Sequence, residues 1–186
     1  MNPSQRNVVL SAVKACRGFA RCSGSFFNFK KRSGGWRGWE NWLTVDITRH
    51  LNDPHVLPFC RYSYEGQRLK GKLDIYVEAP FRIAVEIKTS YIFDREIEAW
   101  GADITLTDGV FHDARKICKL EPKIGKLLLL SICFESRDAL KKYRKRAECG
   151  LASSFKSFQY HRWYDCSASA GHNLLLALSN RAGLPQ

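Results

Sequence analysis

The chain has 186 residues, of which 45% are hydrophobic and 26% charged, a composition typical of an ordinary globular protein. This length suits one domain with a sizeable core and is short for two. No apolar run approaches the ~20 residues that a membrane-spanning helix needs, and residues 1–14 lack the apolar core of a signal peptide. The sequence therefore predicts a cytoplasmic protein without a membrane segment.

The charge of the chain is strongly positive, because 30 Lys and Arg residues outnumber 18 Asp and Glu residues and leave a net charge of +12. An excess of this size favours a polyanionic partner such as nucleic acid, although solubility alone explains part of it. The basic residues form three groups: Lys30, Lys31, Arg32 and Arg37; Arg68, Lys70 and Lys72; and Lys141, Lys142, Arg144, Lys145 and Arg146. The seven cysteines include no CxxC pair, so neither a disulfide framework nor a zinc site is predicted.

The first part of the chain has helical patterns on either side of a polar segment. Residues 5–17 predict a short helix, and residues 18–35, rich in Gly, Ser, Phe and basic residues, predict a loop or arm. A second helix is predicted from about Trp36 to Leu51, and the residues Asn52-Asp53-Pro54 end it. Its apolar stripe consists of Trp36, Trp39, Leu43 and Ile47.

Apolar runs predict strands in the rest of the chain. Three strand candidates come first: Leu57 to Tyr64, Lys72 to Val77, and Phe81 to Lys88. A tight Glu-Ala-Pro turn joins the last two, which predicts a hairpin. The later predictions are a helix at Asp113 to Leu120, a buried strand at Leu127 to Phe134, a basic helix from Ser136 to Cys149, a strand within 155–164, and either a strand or a helix at His172 to Asn180. This order predicts an α/β fold with a mixed sheet of four to five strands and helices on both faces.

The predicted hairpin carries charged groups at positions where strands usually hold core residues. Because side chains alternate between the faces of a strand, Leu73 is expected opposite Asp74, and Glu86 and Lys88 on a shared face. Pairing of the two strands brings Asp74, Glu86 and Lys88 together. Like charges so close repel unless a cation lies between them, and carboxylate oxygens suit Mg²⁺. The competing interpretation is a plain salt bridge between neighbouring strands.

A third acidic candidate, Glu40, lies at the edge of the apolar stripe of the predicted second helix. A carboxylate there is costly unless it is paired or bound, which makes Glu40 a candidate for the same site. A helix-surface Glu beside the basic arm fits its spacing equally well. Asp46 competes for the role, but Arg49 and His50 lie within one helical turn and pair with it more simply.

The chain also holds a second Glu-x-Lys triplet, Glu121-Pro122-Lys123. It follows a predicted helix and contains a proline, which cannot donate a hydrogen bond within a central strand. Glu86-Ile87-Lys88 instead ends an apolar strand and follows a hairpin partner that bears Asp74. The context therefore favours the first triplet as the functional one.

A helix glutamate, a strand aspartate and a Glu-x-Lys triplet on the next strand resemble the PD-(D/E)XK, or restriction-endonuclease-like, superfamily of nucleases. The matching residues are Glu40, Asp74 and Glu86-Ile87-Lys88. The resemblance covers roughly residues 36–134, including the later helix and the apolar strand after it. One departure is that Leu73 stands where the proline of the family motif precedes the aspartate.

The resemblance implies a restriction-endonuclease-like core and a metal-dependent nuclease that hydrolyses phosphodiester bonds in DNA by attack of an activated water, with Mg²⁺ or Mn²⁺ as cofactor. It implies that Asp74, Glu86 and the backbone carbonyl of Ile87 hold the metal. It further implies that Glu40 binds a second metal or a coordinated water and that Lys88 assists the nucleophile. No phosphate-binding loop or serine-hydrolase elbow occurs in the sequence.

The same hypothesis divides the chain into an N-terminal helix and arm (1–35) and a nuclease-like domain (36–186), with a core at 36–134 and a basic helix and extension at 135–186. A homodimer is compatible with it, since small members of the superfamily often act as dimers. The residues expected to contact nucleic acid are Lys30, Lys31, Arg32, Arg37, Lys70, Lys72, Lys141, Lys142, Arg144 and Lys145.

Two other function classes stay open. One is a nuclease fold kept as a nucleic-acid-binding or assembly module without turnover, and the other is an interaction protein whose basic surface meets an acidic protein. A His-Asn-His nuclease is disfavoured, because His172-Asn173 lacks a suitably placed second histidine. Cleavage of DNA with Mg²⁺ separates the enzyme from the first, and salt-sensitive binding to duplex DNA counts against the second.

Overall fold

The described part of the chain forms an α/β fold in which helices cover a central sheet. The computed structural model describes residues 1–21, 39–61, 63–64, 67–68, 72–92, 108–144, 155 and 158–180. The helices within these residues are α1 (Pro3–Ala20), α2 (Trp39–Leu51), α3 (Asp108–Cys118) and α4, described over 137–144. The strands are β1 (Val56–Pro58), β2 (Ser63–Tyr64), β3 (Gln67–Arg68), β4 (Ile75–Val77), β5 (Ile83–Ile92), β6 (Gly125–Phe134), β7 (Tyr160–Asp165) and β8 (His172–Ser179).

The main sheet is mixed and has six strands in the order β1-β4-β5-β6-β8-β7, while β2 and β3 form a separate two-stranded ribbon. Only β5 and β6 run parallel, and α3 lies in the crossover between them, as a parallel connection requires. The predicted mixed α/β sheet is confirmed, but it is larger than the four to five strands expected. The segment 172–180, ambiguous from its pattern, forms the strand β8 up to Ser179, and all residues of β8 after His172 are buried between the two helical layers.

Two apolar cores lie on the two faces of the sheet. One contains Trp39, Leu43 and Ile47 of α2 together with α1, and the rings of Phe19 and Trp39 lie 4.4 Å apart. The other contains buried residues of α3 and α4, including Ile117. The strand β6 contributes alternate residues to both cores and is buried along its whole length. The prediction of helices on both faces is therefore confirmed.

Local capping explains where several helices begin and end. α1 begins at Pro3, earlier than the predicted 5–17, because Asn2 and Gln5 form a reciprocal capping box. α2 ends before Asn52, whose φ of 46° lies in the left-handed region. Ser136 caps α4, since the amide of Ala139 donates to Oγ of Ser136 over 3.0 Å. The beginning of the predicted second helix at 36–38, the arm at 22–35 and the continuation of α4 beyond 144 lie outside the described residues.

The hairpin differs from its prediction at its first strand. β4 begins at Ile75, so Asp74 lies in a bend just before the strand rather than inside it. This bend interrupts the alternation, and Leu73 packs in the same core as Tyr76 instead of the core that contains Ile75. The predicted strand Leu57 to Tyr64 is likewise broken, because Phe59 adopts a φ of 52° after β1.

The cysteines within the described residues carry no disulfide. Cys16, Cys133 and Cys166 are buried, while Cys60 and Cys118 are partly buried. Cys22 and Cys149 lie outside the described residues. Among the described helices, none combines the length and the apolar character needed to cross a membrane.

Candidate functional site

The hairpin places two carboxylates side by side at one edge of β5. Ile75 pairs with Val85, and extending this antiparallel register by one residue brings Asp74 beside Glu86. The amide of Ile87 donates to Oδ2 of Asp74 over 2.7 Å, which fixes that carboxylate against the strand. Glu86 is only 2% exposed. The predicted approach of Asp74 and Glu86 is thus observed, although it depends on a bend and not on a continuous strand.

Lys88 connects the two helical layers of the protein. The pairing of β4 with β5 ends at Val85, so Lys88 lies beyond the part of β5 that pairs with β4. Its Nζ lies 3.2 Å from Oε1 of Glu40 on α2 and 2.8 Å from Oδ2 of Asp113 on α3. Because α2 and α3 pack on opposite faces of the sheet, a single ammonium group draws together carboxylates that are far apart in sequence. Glu40 therefore lies in the predicted site.

A second lysine, Lys116, neutralises Glu86. Its Nζ lies 2.6 Å from Oε1 of Glu86 and 3.7 Å from Oδ1 of Asp113, and it donates to the backbone carbonyl of Lys72 over 3.0 Å. Asp113 and Lys116 are three residues apart and so project from the same side of α3. This side of α3 faces the sheet, as the buried Ile117 beside it shows. Both charged groups therefore lie next to the hairpin.

The sequence analysis assigned no role to Asp113 or Lys116. A usable signal was nevertheless present, because both residues flank buried apolar positions of α3, and charged groups there need partners. The helix also lies between the strand that carries Glu86 and the strand parallel to it, where a crossover helix must cover the sheet. Which charges it meets depends on how far the helix is rotated, and that is a tertiary property.

The protonation equilibria of the site reflect burial and crowded charge. Burial and the nearby charge of Asp74 raise the pKa of Glu86 to about 8, although Lys116 opposes this shift. Burial also raises the pKa of Asp74 to about 6, against the hydrogen bond from Ile87 and with the charge of Glu40 adding to the rise. Burial alone would lower the pKa of Lys88, but its contacts with Asp113 and Glu40 outweigh burial and hold that pKa above the ordinary value.

The donor chemistry of the hairpin suits a hard divalent cation. The amide of Ile87 donates to Oδ2 of Asp74, and Nζ of Lys116 contacts Oε1 of Glu86, so each carboxylate carries a second oxygen besides. Burial is the main cause of the raised pKa values of both groups, so their ionised forms are costly there unless a cation compensates them. No group of three or more His, Cys, Asp or Glu side chains within the described ranges is arranged to hold a metal ion. Mg²⁺, however, commonly takes only one or two carboxylates together with water and substrate phosphates.

The competing acidic residues have simpler partners, as expected. Oδ1 of Asp46 lies 2.6 Å from Nη2 of Arg49, and its other oxygen lies 3.7 Å from Nε2 of His50. In the second Glu-x-Lys triplet, Oε2 of Glu121 lies 3.2 Å from Nζ of Lys123. This triplet occupies the turn after α3 and not a strand.

The residues predicted to contact nucleic acid are only partly described. Lys72, Lys141, Lys142 and Arg144 are exposed. The other members of the predicted set, Lys30, Lys31, Arg32, Arg37, Lys70 and Lys145, lie outside the described residues. No side chain is described for Arg68, and Arg146 also lies outside.

Comparison of the chain with protein-family models, with curated proteins and with solved structures gave no match. The chemistry of the site therefore has to be inferred from its own side chains. Those side chains are the carboxylates Glu40, Asp74, Glu86 and Asp113 and the ammonium groups Lys88 and Lys116.

Proposed function

We propose that this protein is a metal-dependent nuclease that hydrolyses phosphodiester bonds in DNA. The observation that carries the proposal is the convergence of Glu40, Asp74, Glu86 and Lys88 from a helix and a hairpin onto one place. A surface salt bridge between two strands does not account for it, because Glu86 is buried and Lys88 pairs with residues of two helices instead of with Glu86.

The order of elements around the site supports this proposal. α2 comes first, followed by β1, β4 and β5, then α3 and the parallel strand β6. The site residues therefore follow one another as helix glutamate, hairpin aspartate and strand Glu-x-Lys, the order that the resemblance to PD-(D/E)XK nucleases requires. The net charge of +12 adds an attraction for the polyanionic substrate.

The proposed metal ligands are the carboxylates of Asp74 and Glu86 and the backbone carbonyl of Ile87, with Mg²⁺ or Mn²⁺ as the ion. When bound there, the ion would polarise the phosphate and lower the pKa of a water molecule. Asp74 is held ready for this role by the amide of Ile87. Glu40 would bind a second metal or a coordinated water, and it already orients the ammonium of Lys88.

Lys88 acts as a charged donor in this scheme and not as a general base. Asp113 and Glu40 keep its pKa above the ordinary value, so its Nζ stays protonated across the physiological range. A protonated ammonium can orient the attacking water and stabilise the charge that develops on the phosphate oxygens. Asp113 is then a positioning residue, because it acts on the substrate only through Lys88.

A cleavage assay tests the proposal directly. Linear, nicked and branched DNAs and an RNA are incubated with the protein in Mg²⁺, Mn²⁺ or EDTA, and the products are resolved on gels. Lys88→Ala and Asp74→Asn are expected to remove metal-dependent cleavage. The matched controls are Lys119→Ala and Asp138→Asn, which change an exposed residue of the turn after α3 and an exposed residue of α4. Cleavage that persists in both site variants contradicts the proposed mechanism.

A second candidate function is a nucleic-acid-binding or assembly module with no turnover. One observation favours it: Lys116 neutralises Glu86 at 2.6 Å, and Lys88 is held by two carboxylates, so the cluster balances much of its charge without a metal. Mg²⁺ titration followed by thermal melting separates the two candidates. A nuclease site gains stability as the ion binds to the folded protein, whereas the silent module binds DNA with no Mg²⁺-dependent change in melting temperature and no cleavage.

A further inference from the structure

A groove away from the hairpin lies between α4 and the ends of β7 and β8. Its volume is about 700 Å³, and it is lined by Arg137, Lys141, Arg144, Asp165, Ser167 and His172, among others. None of these residues takes part in the ion pairs of Glu86 or Lys88.

Three cations on one side of α4 face this groove. Arg137, Lys141 and Arg144 are four and three residues apart in sequence, a spacing that aligns their side chains along a helix. The side of α4 next to these cations is buried, with Leu140 and Tyr143 in the apolar core, and Leu140 also lines the groove. Packing of α4 therefore fixes its rotation so that the cationic side lines the groove.

One carboxylate, Asp165, lies among these cations. Its Oδ1 accepts a hydrogen bond from the amide of Ser167 over 2.9 Å. Burial alone would raise its pKa, but hydrogen bonds from Ser167 and the charges of Arg144 and Arg137 lower that pKa below the ordinary value. Among the residues that line the groove, three cations therefore lie near one carboxylate. Asp138 lies 3.7 Å from Lys141, but both side chains are exposed, so this pair compensates little.

The strand register relates the groove to the proposed cleavage site. Lys88 pairs with Leu130 on β6, and Phe134, four residues further along, pairs with His172 on β8. Four residues at about 3.3 Å each, combined with two strand spacings of about 4.8 Å, separate Lys88 from His172 by about 16 Å. Both lie on the face covered by α3 and α4, since even-numbered residues of β6 and β8 pack in that core.

We propose that the groove binds a backbone phosphate of the same DNA whose scissile phosphate lies near Lys88, an inference that rests on the proposed function. Arg137 can offer paired N–H donors to phosphate oxygens, and Lys141 adds a compact positive charge. At about 3.4 Å per base pair, 16 Å corresponds to a contact about five base pairs from the cleaved bond. The groove thereby adds affinity and sets the orientation of the duplex on the site.

Equilibrium binding in EDTA tests the groove without any need for turnover. A fluorescein-labelled 20-base-pair duplex is titrated with the full chain at several salt concentrations. Arg137→Ala/Lys141→Ala is expected to weaken binding about tenfold and to reduce the slope of log affinity against log salt by about 1, the value for one lost phosphate contact. Lys14→Ala/Arg17→Ala removes the same charge from exposed positions of α1 on the opposite face and is the matched control.

Asp165→Asn provides a change of opposite sign. The amide oxygen of asparagine can still accept from the amide of Ser167, while the negative charge in the groove is removed. We expect binding to tighten about threefold, as removal of a nearby like charge predicts for a phosphate ligand. If neither groove variant changes affinity more than the α1 control does, the groove is not a phosphate site.

Failure of this inference is distinguishable from failure of the proposed function. If the wild type cleaves DNA in Mg²⁺ and the groove variants bind DNA as the wild type does, only the proposed phosphate site in the groove is wrong. If the groove variants lose affinity for DNA but the wild type cleaves no substrate, the proposed nuclease activity is wrong and the groove remains a DNA contact. Where cleavage occurs, a single methylphosphonate about five base pairs from the cut is expected to weaken wild-type binding and to have little further effect on Arg137→Ala/Lys141→Ala.

Discussion

The two Glu-x-Lys triplets of this chain have the same sequence pattern and opposite surroundings. In the turn after α3, Glu121 and Lys123 pair with each other at 3.2 Å, and the Lys123 side chain is 63% exposed. On β5, Glu86 and Lys88 do not pair with each other. Glu86 is paired with Lys116 of α3, while Lys88 reaches Glu40 of α2 and Asp113 of α3.

This difference shows that the position of the triplet on a strand determines which partners its Glu and Lys side chains meet. Residues at i and i+2 of a strand share a face but are spread along it, so each finds partners from the helix that covers that face or from beyond the sheet edge. In a turn the same two side chains can fold onto each other. Glu121 is only 9% exposed, but Nη2 of Arg82 also lies 3.2 Å from its Oε2, so two cations compensate its charge and it needs no further ligand. Burial at β5 instead produces a carboxylate with a raised pKa and an ammonium held between two acids.

Activity should separate the triplets by the largest margin. Glu86→Gln and Lys88→Ala each remove a group proposed to act on the reacting phosphate, so we expect single-turnover cleavage in Mg²⁺ to fall by about 10²- to 10³-fold. Lys123→Ala should change the rate by less than about twofold. Equal losses from Lys88→Ala and Lys123→Ala would remove the functional distinction between the triplets.

The second-largest difference between the two triplets is expected in how the free energy of unfolding depends on pH. The pKa of Glu86 rises from 4.5 to about 8 on folding, so its contribution to stability is fully present below about pH 4.5 and is lost as the pH rises through 8. We expect the free energy of unfolding in EDTA to fall by about 1 kcal/mol per pH unit between about pH 5 and pH 8. Asp74, with a pKa of about 6, adds to this slope at its acidic end.

Urea unfolding at four pH values measures this slope for the wild type, Glu86→Gln and Glu121→Gln. Glu86→Gln is expected to flatten it and Glu121→Gln to leave it unchanged. The comparison uses slopes because Glu86→Gln also removes the partner of Lys116, which shifts stability at every pH. A wild-type slope that survives in Glu86→Gln means that other groups dominate the titration.

Loss of the lysine partner should destabilise the two triplets unequally. Lys116 is largely buried against Glu86, so Lys116→Met is expected to cost about 2 kcal/mol at pH 8, less than a fully uncompensated buried charge because Glu86 can take up a proton. Lys123→Met should cost about 0.5 kcal/mol, because Lys123 is exposed and Glu121 keeps its pair with Arg82. The cost of Lys116→Met should shrink at pH 6, where Glu86 is protonated. A cost independent of pH would point to lost packing instead of lost charge.

The positioning role of Asp113 predicts the smallest effect. Asp113→Asn keeps the shape of the side chain but removes a charge 2.8 Å from Nζ of Lys88. We expect cleavage to fall about tenfold and the alkaline limb of the pH–rate profile to move to lower pH, because the pKa of Lys88 loses one of its supports. Asp138→Asn, at an exposed position of α4, is the control. An unchanged pH profile would leave Asp113 with a purely structural role.

Much of the fold follows from local patterns in the sequence. Apolar periodicity predicted α2, α3, β5 and β6, since helices and strands bury residues at characteristic spacings. The same patterns failed at 172–180 and around Asp74. A strand buried on both faces has no alternation to reveal it, and a bend that depends on pairing with β5 leaves no local mark.

The sequence by itself determined which residues were candidates for the site: Glu40, Asp74, Glu86 and Lys88 stand out because charges next to apolar runs need partners. Only the tertiary structure decided which partners they have. The contact of Lys88 with Asp113, and that of Lys116 with Glu86, joins strands and helices whose relative placement depends on packing across the whole sheet. Such contacts link positions 25 to 48 residues apart, as for Lys88 with Asp113 and with Glu40. No local periodicity encodes them.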